Sequence, residues 1–424
     1  MTNAKYMKIT IHRGANQIGG CITEIATEKA KVFIDFGCNL PGSKKEELTA
    51  DEVKGMAGDA DAIFFSHYHG DHVGLHHLIP EHIAQYMGAG AIDVMRCKYE
   101  ALNVHQDYSR QLAAIKRMIP FKERERIAIK DSIFVTPFFV SHSAFDAYMF
   151  LIECEGKRIL HTGDFRRHGY LGKGLFSTLE AFIGKVDVLI TEGTMLGRSQ
   201  EQVITEHQIQ LNTIQALREH KYVFALCSST DIDRLASFHA ACKKTGKVFL
   251  VDSYQRRVLD VFTEYSGSKS PLFKFDNIFE LHGHKSYRTE KITHYLRDKG
   301  FLMPVRMNSL WLVEDMMQVF TDEVPWLLYS MWNGYAEEGG ENANENVIAI
   351  RRLFENRILD GVKDGFHTSG HADIATLREV CEAVNPSIGV ISIHKDVGMK
   401  YESQTHRVFD EGSFTIEGIE IDVH

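Results

Sequence analysis

The sequence predicts an α/β protein that contains two differently organised regions. From residue 7 to about residue 191, short β-rich runs follow one another closely. After residue 191, strand and helix patterns alternate, which is typical of a parallel α/β unit. Hydrophobic residues make up 44% and charged residues 25% of the 424 residues, as in ordinary soluble globular proteins. A chain of this length favours two or three domains.

The first region is predicted mainly from strands in quick succession. Its β-rich runs lie at 8–12, 21–25, 31–36, 62–66, 133–135, 138–140, 149–152 and 158–160. Helical spacing of apolar residues occurs only around 97–118 and 178–184. Strands gathered in this way favour sheets whose faces are covered by helices.

The second region alternates more regularly. Helices are predicted at 201–219, 231–243, 254–265 and 342–357, with strands at 222–226 and 247–251 and a loop-rich interruption at 266–290. The last segment, 365–424, returns to strands and contains one helix at 372–384.

Charge and cysteine usage exclude several functional classes. The chain has 48 basic and 57 acidic residues, a net charge of −9, so any nucleic-acid binding requires a local basic patch. The seven cysteines are scattered without a Cys-x-x-Cys pair, which argues against a disulfide framework and a zinc ribbon. We therefore expect them to be buried thiols without a role. No apolar run is long enough to span a membrane and no secretory signal is visible, so we expect a cytoplasmic protein with no membrane partner.

Histidine is the unusual residue, with 22 copies. The strongest feature is the segment Ser66-His67-Tyr68-His69-Gly70-Asp71-His72, directly after an apolar strand. Imidazole and carboxylate groups are ligands that zinc and similar divalent ions accept. His67 and His69 alternate and point the same way, whereas Asp71 and His72 face a neighbouring position. The pattern therefore predicts two metal positions rather than one.

Further ligands are predicted at the ends of other strands. His142 follows the strand 138–140, and Asp164 follows the strand 158–160 within His-Thr-Gly-Asp. Asp35 ends the strand at 32–34.

In this order, the motif at 67–72, His142, Asp164 and His394 resemble a metallo-β-lactamase-fold hydrolase, which implies an αββα sandwich. The remaining motifs resemble the beta-CASP subfamily, and Glu192 matches the acidic motif of that subfamily. The segment His367-Thr368-Ser369-Gly370-His371 resembles its second motif, and Ile391-Ser392-Ile393-His394 its third. Features near Gly14–Gly20 and His142–Asp146 are closest to ribonuclease J.

The chain departs from that family in three places. It ends about 30 residues after His394, so we expect it to be without the extra C-terminal domain of bacterial ribonuclease J. Lys395-Asp396 follows the third-motif histidine, where that family often has Gly-Glu. The segment 327–334 replaces the Ser/Pro/Gly-rich loop expected near the substrate. These departures leave the metal motifs intact and leave the substrate open.

The resemblance also implies a domain order. If His394 joins the cluster at 67–164, the chain must leave the first domain and return to it. We expect residues 1–195 to form the first part of a metallo-β-lactamase domain, 196–355 an inserted beta-CASP domain of parallel α/β type, and 356–424 the completing part.

The resemblance implies two divalent ions, with Zn²⁺ the first choice and Mn²⁺ or Mg²⁺ as alternatives. One ion is assigned to His67, His69 and His142, the other to Asp71, His72 and His394, with Asp164 bridging. Such a pair activates a water as hydroxide, and Asp71 would orient it or carry its proton. His371 would donate to the scissile phosphate, while Asp35 and Glu192 would contact the histidines and fix their orientation.

The implied activity is hydrolysis of single-stranded RNA, as an exonuclease, an endonuclease or both. Substrate contacts are assigned to Ser228, Ser229, His367, Ser369, Gly370 and His371. The alternative is a hydrolase of a small ester, lactone or nucleotide on the same metal centre. For Ser229 and Thr230, capping of the following helix is an equal alternative, and Arg234 is expected to be solvated or to pair with a phosphate. The oligomeric state stays open.

Overall fold

A computed structural model describes residues 6–198, 203–283 and 285–424. The chain forms two compact units. One comprises Met1–Arg167, Leu171–Glu201 and Gly370–His424, and the other comprises His168–Tyr170 and Gln202–Ser369. Among the described residues, no helix is both long and apolar enough to cross a membrane.

The strands of the described residues are, in chain order, β1 (Met7–Arg13), β2 (Ile22–Thr27), β3 (Lys31–Ile34), β4 (Ala62–Phe64), β5 (Ala84–Gly88), β6 (Ile119–Phe121), β7 (Ile127–Ile129), β8 (Ile133–Val140), β9 (Ala147–Cys154), β10 (Lys157–His161), β11 (Val188–Glu192), β12 (Tyr222–Leu226), β13 (Val248–Asp252), β14 (Ile278–Leu281), β15 (Phe301–Val305), β16 (Trp326–Tyr329), β17 (Ile358–Leu359), β18 (Gly389–Ile393), β19 (Val408–Phe409), β20 (Gly412–Ile416) and β21 (Ile419–Val423).

The α-helices are α1 (Ala50–Ala57), α2 (Gly70–Val73), α3 (Ala89–Asn103), α4 (Ser109–Arg117), α5 (Leu175–Thr178), α6 (Glu206–Glu219), α7 (Ile232–Thr245), α8 (Ser253–Ser266), α9 (Glu290–Lys299), α10 (Leu310–Val319), α11 (Glu345–Phe354) and α12 (Ile374–Val384).

The first unit contains two mixed sheets. One has the strand order β20-β21-β1-β2-β3-β4-β5-β6, and the other has the order β19-β18-β11-β10-β9-β8-β7. Strand β1 pairs in parallel with β21, and β11 pairs in parallel with β18. The segment after the second unit therefore supplies strands to both sheets of the first.

The two sheets share one hydrophobic core, and the alternation of side chains along each strand explains this packing. In β9, Phe150 and Ile152 contribute to the core that also contains Ile9 and Val32 of the other sheet. Their neighbours Met149 and Leu151 belong to a second cluster with residues of α5 and α12. Because successive side chains in a strand face opposite sides, one face of this sheet packs on the first sheet and the other is covered by helices. The prediction of an α/β protein is confirmed, and the layers are consistent with a metallo-β-lactamase fold.

The second unit is built on one parallel sheet of order β14-β13-β15-β12-β16-β17. Every residue of β12 and β15 is buried, as expected for parallel strands covered on both faces. The expected boundary at residue 355 falls just before β17, which pairs with β16, so this sheet continues past that residue. The loop-rich segment at 266–290 includes the edge strand β14.

Two local expectations differ from the structure. The helix at 97–118 is two helices, α3 and α4, separated by residues 104–108. The runs at 133–135 and 138–140 form one strand, β8, with Pro137 inside it. Strand β7 pairs only with residues 133–135 of β8, so Pro137 lies where no neighbouring strand requires an N–H.

Candidate metal centre

The histidine-rich segment follows β4 and is held by backbone hydrogen bonds from two earlier loops. Phe36 N donates to the carbonyl of His72 at 2.7 Å, and Cys21 N donates to the carbonyl of Asp71 at 3.0 Å. Cys38 N donates to the carbonyl of Gly70, the first residue of α2, at 3.0 Å. The segment is therefore a fixed turn against the chain that precedes it.

Asp164 lies at the centre of the predicted ligands and is buried. Its Oδ2 atom lies 3.1 Å from Nε2 of His72, 3.7 Å from Nε2 of His394, and 3.9 Å from Nε2 of both His67 and His142. Ligand atoms that share a zinc ion at about 2.0–2.2 Å are separated by about these distances.

Four groups of three residues in the described chain bring their ligand atoms within 4.8 Å of one another. They are His67–His69–His142, His67–His72–Asp164, His142–Asp164–His371 and Cys21–His72–His394. The structure thus brings His67, His69, His72, His142, Asp164 and His394 together. Asp71 is adjacent, because its Oδ2 lies 3.0 Å from Nε2 of His394.

Two hydroxyl groups determine which nitrogen of a neighbouring histidine is available. Ser66 Oγ donates to Asp35 at 2.8 Å and therefore accepts from Nδ1 of His67 at 3.0 Å. Thr194 Oγ1 donates to the carbonyl of His394 at 3.1 Å and accepts from its Nδ1 at 2.7 Å. Both rings are therefore oriented with Nε2, rather than Nδ1, towards the candidate site.

Two further histidines are oriented by oxygen acceptors. His72 Nδ1 donates to Asp35 at 2.7 Å, and His142 Nδ1 donates to the carbonyl of Gly370 at 2.6 Å. A Cβ atom at Gly370 would lie 2.4 Å from Ser143 Oγ, so only glycine permits this close backbone approach. Hydrogen bonds of this kind fix ligand tautomers in metal sites.

The backbone is strained at two of these positions. Asp35 has φ 62° and His394 has φ 52°, the left-handed region that costs a non-glycine residue about 1 kcal/mol or more. Asp35 is also fully buried and accepts from Ser66 N at 2.7 Å. The surrounding hydrogen bonds therefore stabilise both conformations.

Burial and mutual proximity shift the ionisation of the cluster. Burial lowers the pKa of His67 and His142 well below the ordinary value and lowers the pKa of His69 to about 4. Burial alone would raise the pKa of Asp164, but the nearby His394 and His72 hold it well below its usual range. The neutral imidazoles of His67, His69 and His142 beside an ionised carboxylate are in the protonation states that bind a metal. The pKa of His72 is instead raised, because the charges of Asp164 and Asp35 outweigh the effect of burial.

The residues present fit a metal centre. Nε2 of His67 is buried and forms no hydrogen bond within the described ranges. His142 presents Nε2 to Nδ1 of His69 at 3.2 Å. A buried nitrogen without a hydrogen-bond partner, such as Nε2 of His67, is costly in a protein interior unless a cation binds it. The donor set of imidazoles and carboxylates suits a borderline divalent ion such as zinc.

Glu192 and His371 form a pair beside this cluster. Glu192 accepts from Phe165 N at 3.0 Å, from Ala372 N at 3.2 Å and from His371 Nδ1 at 2.9 Å. Burial lowers the pKa of His371, but the charges of Glu192 and Asp164 and the hydrogen bond to Glu192 together raise that pKa overall. His371 also lies 3.6 Å from Asp164, and 20% of its side chain is exposed.

The other predicted substrate residues lie in the second unit. Ser228 follows β12, and its Oγ accepts from Thr230 N at 3.3 Å. Helix α7 is capped by Asp231, which accepts from Arg234 N, and not by Ser229 or Thr230. The carboxylate at this cap repels an anion at the helix N terminus. The helix therefore does not favour a phosphate contact at Ser228 and Ser229.

The segment 366–369 is held from within the same unit. Arg234 Nη2 donates to the carbonyl of Thr368 at 3.3 Å, and its Nη1 lies 3.4 Å from Nδ1 of His367. His168 Nε2 donates to the carbonyl of Ser369 at 2.6 Å. Arg234 is 2% exposed and bonded to Glu206, so the expectation that it is solvated or pairs with a phosphate is wrong.

Sequence reasoning missed three contributors to this centre. Cys21, expected to have no role, is close to His72 and His394. Thr194 and the carbonyl of Gly370 orient His394 and His142. Thr194 lies two residues after Glu192, so the acidic motif was a signal from which it could have been found. The spacing of Cys21 gives no such signal.

Comparison with known proteins identifies the first part of the chain. Residues 34–225 match the model of the β-lactamase superfamily domain, so the chain carries a domain of that superfamily. That superfamily match supports a hydrolase fold with divalent metal ions.

Two relatives extend this comparison. An RNase J-like protein of Methanocaldococcus jannaschii is 28% identical over 197 residues, which are 44% of this chain. The match spans 42% of that relative's length. The crystal structure of a protein of unknown function from Enterococcus faecalis V583 superposes with a TM-score of 0.70 at 16% identity, covering 98% of this chain and 99% of that one. The likeness to the E. faecalis structure concerns the fold alone.

Proposed function

We propose that this protein is a metal-dependent phosphodiester hydrolase that acts on RNA, with a beta-CASP insertion as its second unit. The observation that carries the hydrolytic part is the ligand cluster. Four histidines direct Nε2 at the single carboxylate of Asp164, and each has its Nδ1 hydrogen-bonded to an oxygen. Such an arrangement is pre-organised for divalent ions.

His67, His69 and His142 would hold one ion, and His72 and His394 with the adjacent Asp71 the other, with Asp164 shared between them. When bound, such ions supply Lewis acidity, which acidifies a water molecule and neutralises charge on a phosphodiester. Asp35 and Thr194 keep the histidines in one tautomer throughout. Asp71 is positioned to orient the attacking water, because its carboxylate borders His394.

His371 would contact the substrate. Its Nδ1 donates to Glu192, so Nε2 is the nitrogen that would donate to a phosphoryl oxygen. A donor at the position where negative charge develops contributes most in the transition state. The buried Glu192 accepts from Nδ1 of His371 and so orients the ring for this task.

The choice of RNA is supported by the name of the M. jannaschii relative and by the segment His367–His371. A parallel α/β insertion also favours a polymeric substrate over a small ester. The contacts assigned to Ser228, Ser229, His367, Ser369 and Gly370 belong to this proposal.

The test uses the full chain with Zn²⁺, Mn²⁺ or Mg²⁺ and end-labelled, 5′-monophosphorylated single-stranded RNA. We expect metal-dependent cleavage, with product lengths that separate stepwise from internal cutting. Asp164→Asn is the matched control and should be inactive. DNA of the same sequence and a chromogenic ester are run in parallel. The proposal is overturned if the protein hydrolyses the ester but cleaves RNA no faster than Asp164→Asn does. If excess RNA also fails to inhibit the ester hydrolysis, the small-substrate alternative is established.

A further inference from the structure

An open pocket of about 480 Å³ lies in the second unit, beside the edge strand β14 of its parallel sheet. Residues 277–279 line one side, and the start of β13 with parts of α7 and α9 lines the rest. The volume is within the range of small-molecule sites, about 300–1,000 Å³. The pocket shares no residue with the candidate metal centre, whose ligand groups all belong to the first unit.

The lining of this pocket is basic. It contains Lys243, Lys247 and Lys299 and, among the described residues, no acidic side chain. Lys243 pairs with Asp276 at 2.7 Å and Lys299 with Asp298 at 3.1 Å, and the side chains of both pairs are partly exposed. Because exposed ion pairs contribute little to stability, an anion can compete for both ammonium groups.

Lys247 is the lysine whose position has no local explanation. The other two lie in the last turns of α7 and α9, where the helix dipole favours a cation. Lys247 instead lies between the end of α7 and the start of β13, and it is half-buried. Burial lowers its pKa, and the carboxylate of Glu323, which opposes this effect, is paired with Lys221 at 3.8 Å. An anion in the pocket would compensate the buried charge.

Two aromatic rings at the same edge supply a stacking surface. Phe279 of β14 and Tyr295 of α9 are stacked, with ring centroids 5.4 Å apart and an interplanar angle of 27°. Tyr295 is 41% exposed, so part of its surface is open to solvent. Every nucleobase has a flat face that stacks on such a ring, whatever its sequence.

We propose that this pocket is a second RNA-binding site, in which a base stacks on Tyr295 and an adjoining phosphate binds Lys247. Lys243 and Lys299 add positive charge along the backbone of the strand. Aromatic rings beside cationic groups are the combination by which proteins bind single strands without sequence preference. The pocket thus supplies the local basic patch that a chain of net charge −9 requires for RNA binding. The choice of RNA as the ligand rests on the proposed function.

The test uses the full-length Asp164→Asn protein, which should bind RNA without cleaving it, and a short single-stranded RNA that contains 5-iodouridine. Irradiation crosslinks the iodinated base to a ring stacked on it, and mass spectrometry identifies the residue. We expect crosslinks at Tyr295 or Phe279. Adding Tyr295→Ala should lower the affinity, measured by fluorescence anisotropy, at least about fivefold. Trp311→Ala, which removes a 52% exposed aromatic residue of the same unit, is the control and should keep the affinity.

The lysine contact is tested by the salt dependence of binding. In Lys247→Met, the slope of log affinity against log salt concentration should become shallower by about 0.7, the contribution of one phosphate contact on a single strand. Lys244→Met is the matched control, because Lys244 is exposed on α7 and does not line the pocket. It should leave the slope unchanged.

The absence of a crosslink at either ring, with unchanged affinity in Tyr295→Ala, overturns the inference and leaves the proposed function standing. A crosslink at Tyr295 in a protein whose wild type does not cleave RNA supports the inference and removes the proposed function instead. If uridine 5′-monophosphate prevents the crosslink at the same concentration as the RNA, the pocket takes a free nucleotide, and RNA as its ligand is overturned. If Asp164→Asn does not fold, the crosslink must appear in the wild type with chelator.

Discussion

At the scale of single residues, the candidate centre depends on which nitrogen each imidazole turns inward. Ser66, Asp35, Gly370 and Thr194 each accept a hydrogen bond from an Nδ1 atom, so Nε2 is the nitrogen that faces the centre. None of these four residues needs to touch a metal ion. Their effect is to remove the rotational and tautomeric freedom that ion binding would otherwise have to overcome.

Replacing His394 by Ala should weaken the second ion selectively. The change removes one neutral nitrogen from that position and leaves His67, His69 and His142 in place. Elemental analysis of metal-loaded protein should fall from two ions per chain towards one. His105→Ala, an exposed histidine of the same unit, is the control and should keep both. Full occupancy of both positions in His394→Ala would show that His394 is not a ligand.

Replacing His371 by Ala should lower phosphodiester cleavage by about 10²–10³ while keeping both ions, since the loss of one donor at a developing oxyanion has this cost. The rate, the metal content and the Tm are measured on the same preparation. Loss of an ion would instead make His371 a ligand through the group that it forms with His142 and Asp164. Cleavage at the wild-type rate would refute its contact with substrate.

His76 should make the apoprotein less stable at acidic pH. Burial lowers its pKa from 6.5 to about 4, and its Nδ1 donates to the carbonyl of Val73 at 2.8 Å. Because the folded pKa lies below the unfolded one, the unfolded chain gains the proton first as the pH falls below 6.5. Stability is therefore lost between about pH 6.5 and 4.

The free energy of unfolding, from urea titrations at pH 7 and pH 5 with chelator, should thus fall more in the wild type than in His76→Phe. The expected difference between the two proteins is up to about 2 kcal/mol. Equal losses in both would show that His76 is not held neutral in the folded state.

At the scale of elements, helices α6 and α7 are joined by a buried ion pair. Arg234 Nη2 donates to Glu206 Oε1 at 3.0 Å and Nε to Oε2 at 3.1 Å, with both side chains almost completely buried. Ser330, which follows β16, accepts from Arg234 through its carbonyl at 3.2 Å. This arginine therefore connects two helices and a strand end of the second unit.

Replacing Arg234 by Met should destabilise the protein by about 3–5 kcal/mol, because it leaves the Glu206 charge buried without a partner. The double variant Arg234→Met/Glu206→Leu should recover part of this loss. Chemical denaturation measures both. Lys243→Met, which removes an ion pair to Asp276 with both groups partly exposed, should cost less than about 1 kcal/mol. A small effect of Arg234→Met would contradict the buried pair.

At the scale of the whole molecule, every candidate ligand lies in the first unit, although His394 is separated from His67 by the entire second unit. Strand β18 carries the chain to His394 and pairs with β11, which ends at Glu192. Residues far apart in sequence thus reach one centre because neighbouring strands end at the same edge.

Chelation should therefore destabilise the first unit much more than the second, since an ion stabilises only the structure that binds it. Hydrogen exchange measured by mass spectrometry should increase at residues 66–72 and 389–394 after metal removal. Peptides covering β12 should keep their protection. An equal increase throughout both units would show that the two units unfold as one.

The sequence by itself determined the α/β class, the strands with alternating or continuous apolar character, and the candidate metal ligands gathered at 67–72. These signals are local, because a strand's burial pattern and a six-residue motif are read within one short window. His142, Asp164 and His394 also came from the sequence, through their order in a family resemblance.

Only the tertiary structure decided the partners of these residues. Arg234 is charged and lies near the start of a helix, so the sequence suggested that its side chain is solvated. In the structure it is instead hydrogen-bonded to Glu206 and to the segment 366–369. Cys21 has no distinctive spacing, and its nearness to His72 arises from a backbone pairing between two loops. Burial and coordination depend on which segments fold against one another, and that information is absent from any single stretch of the chain.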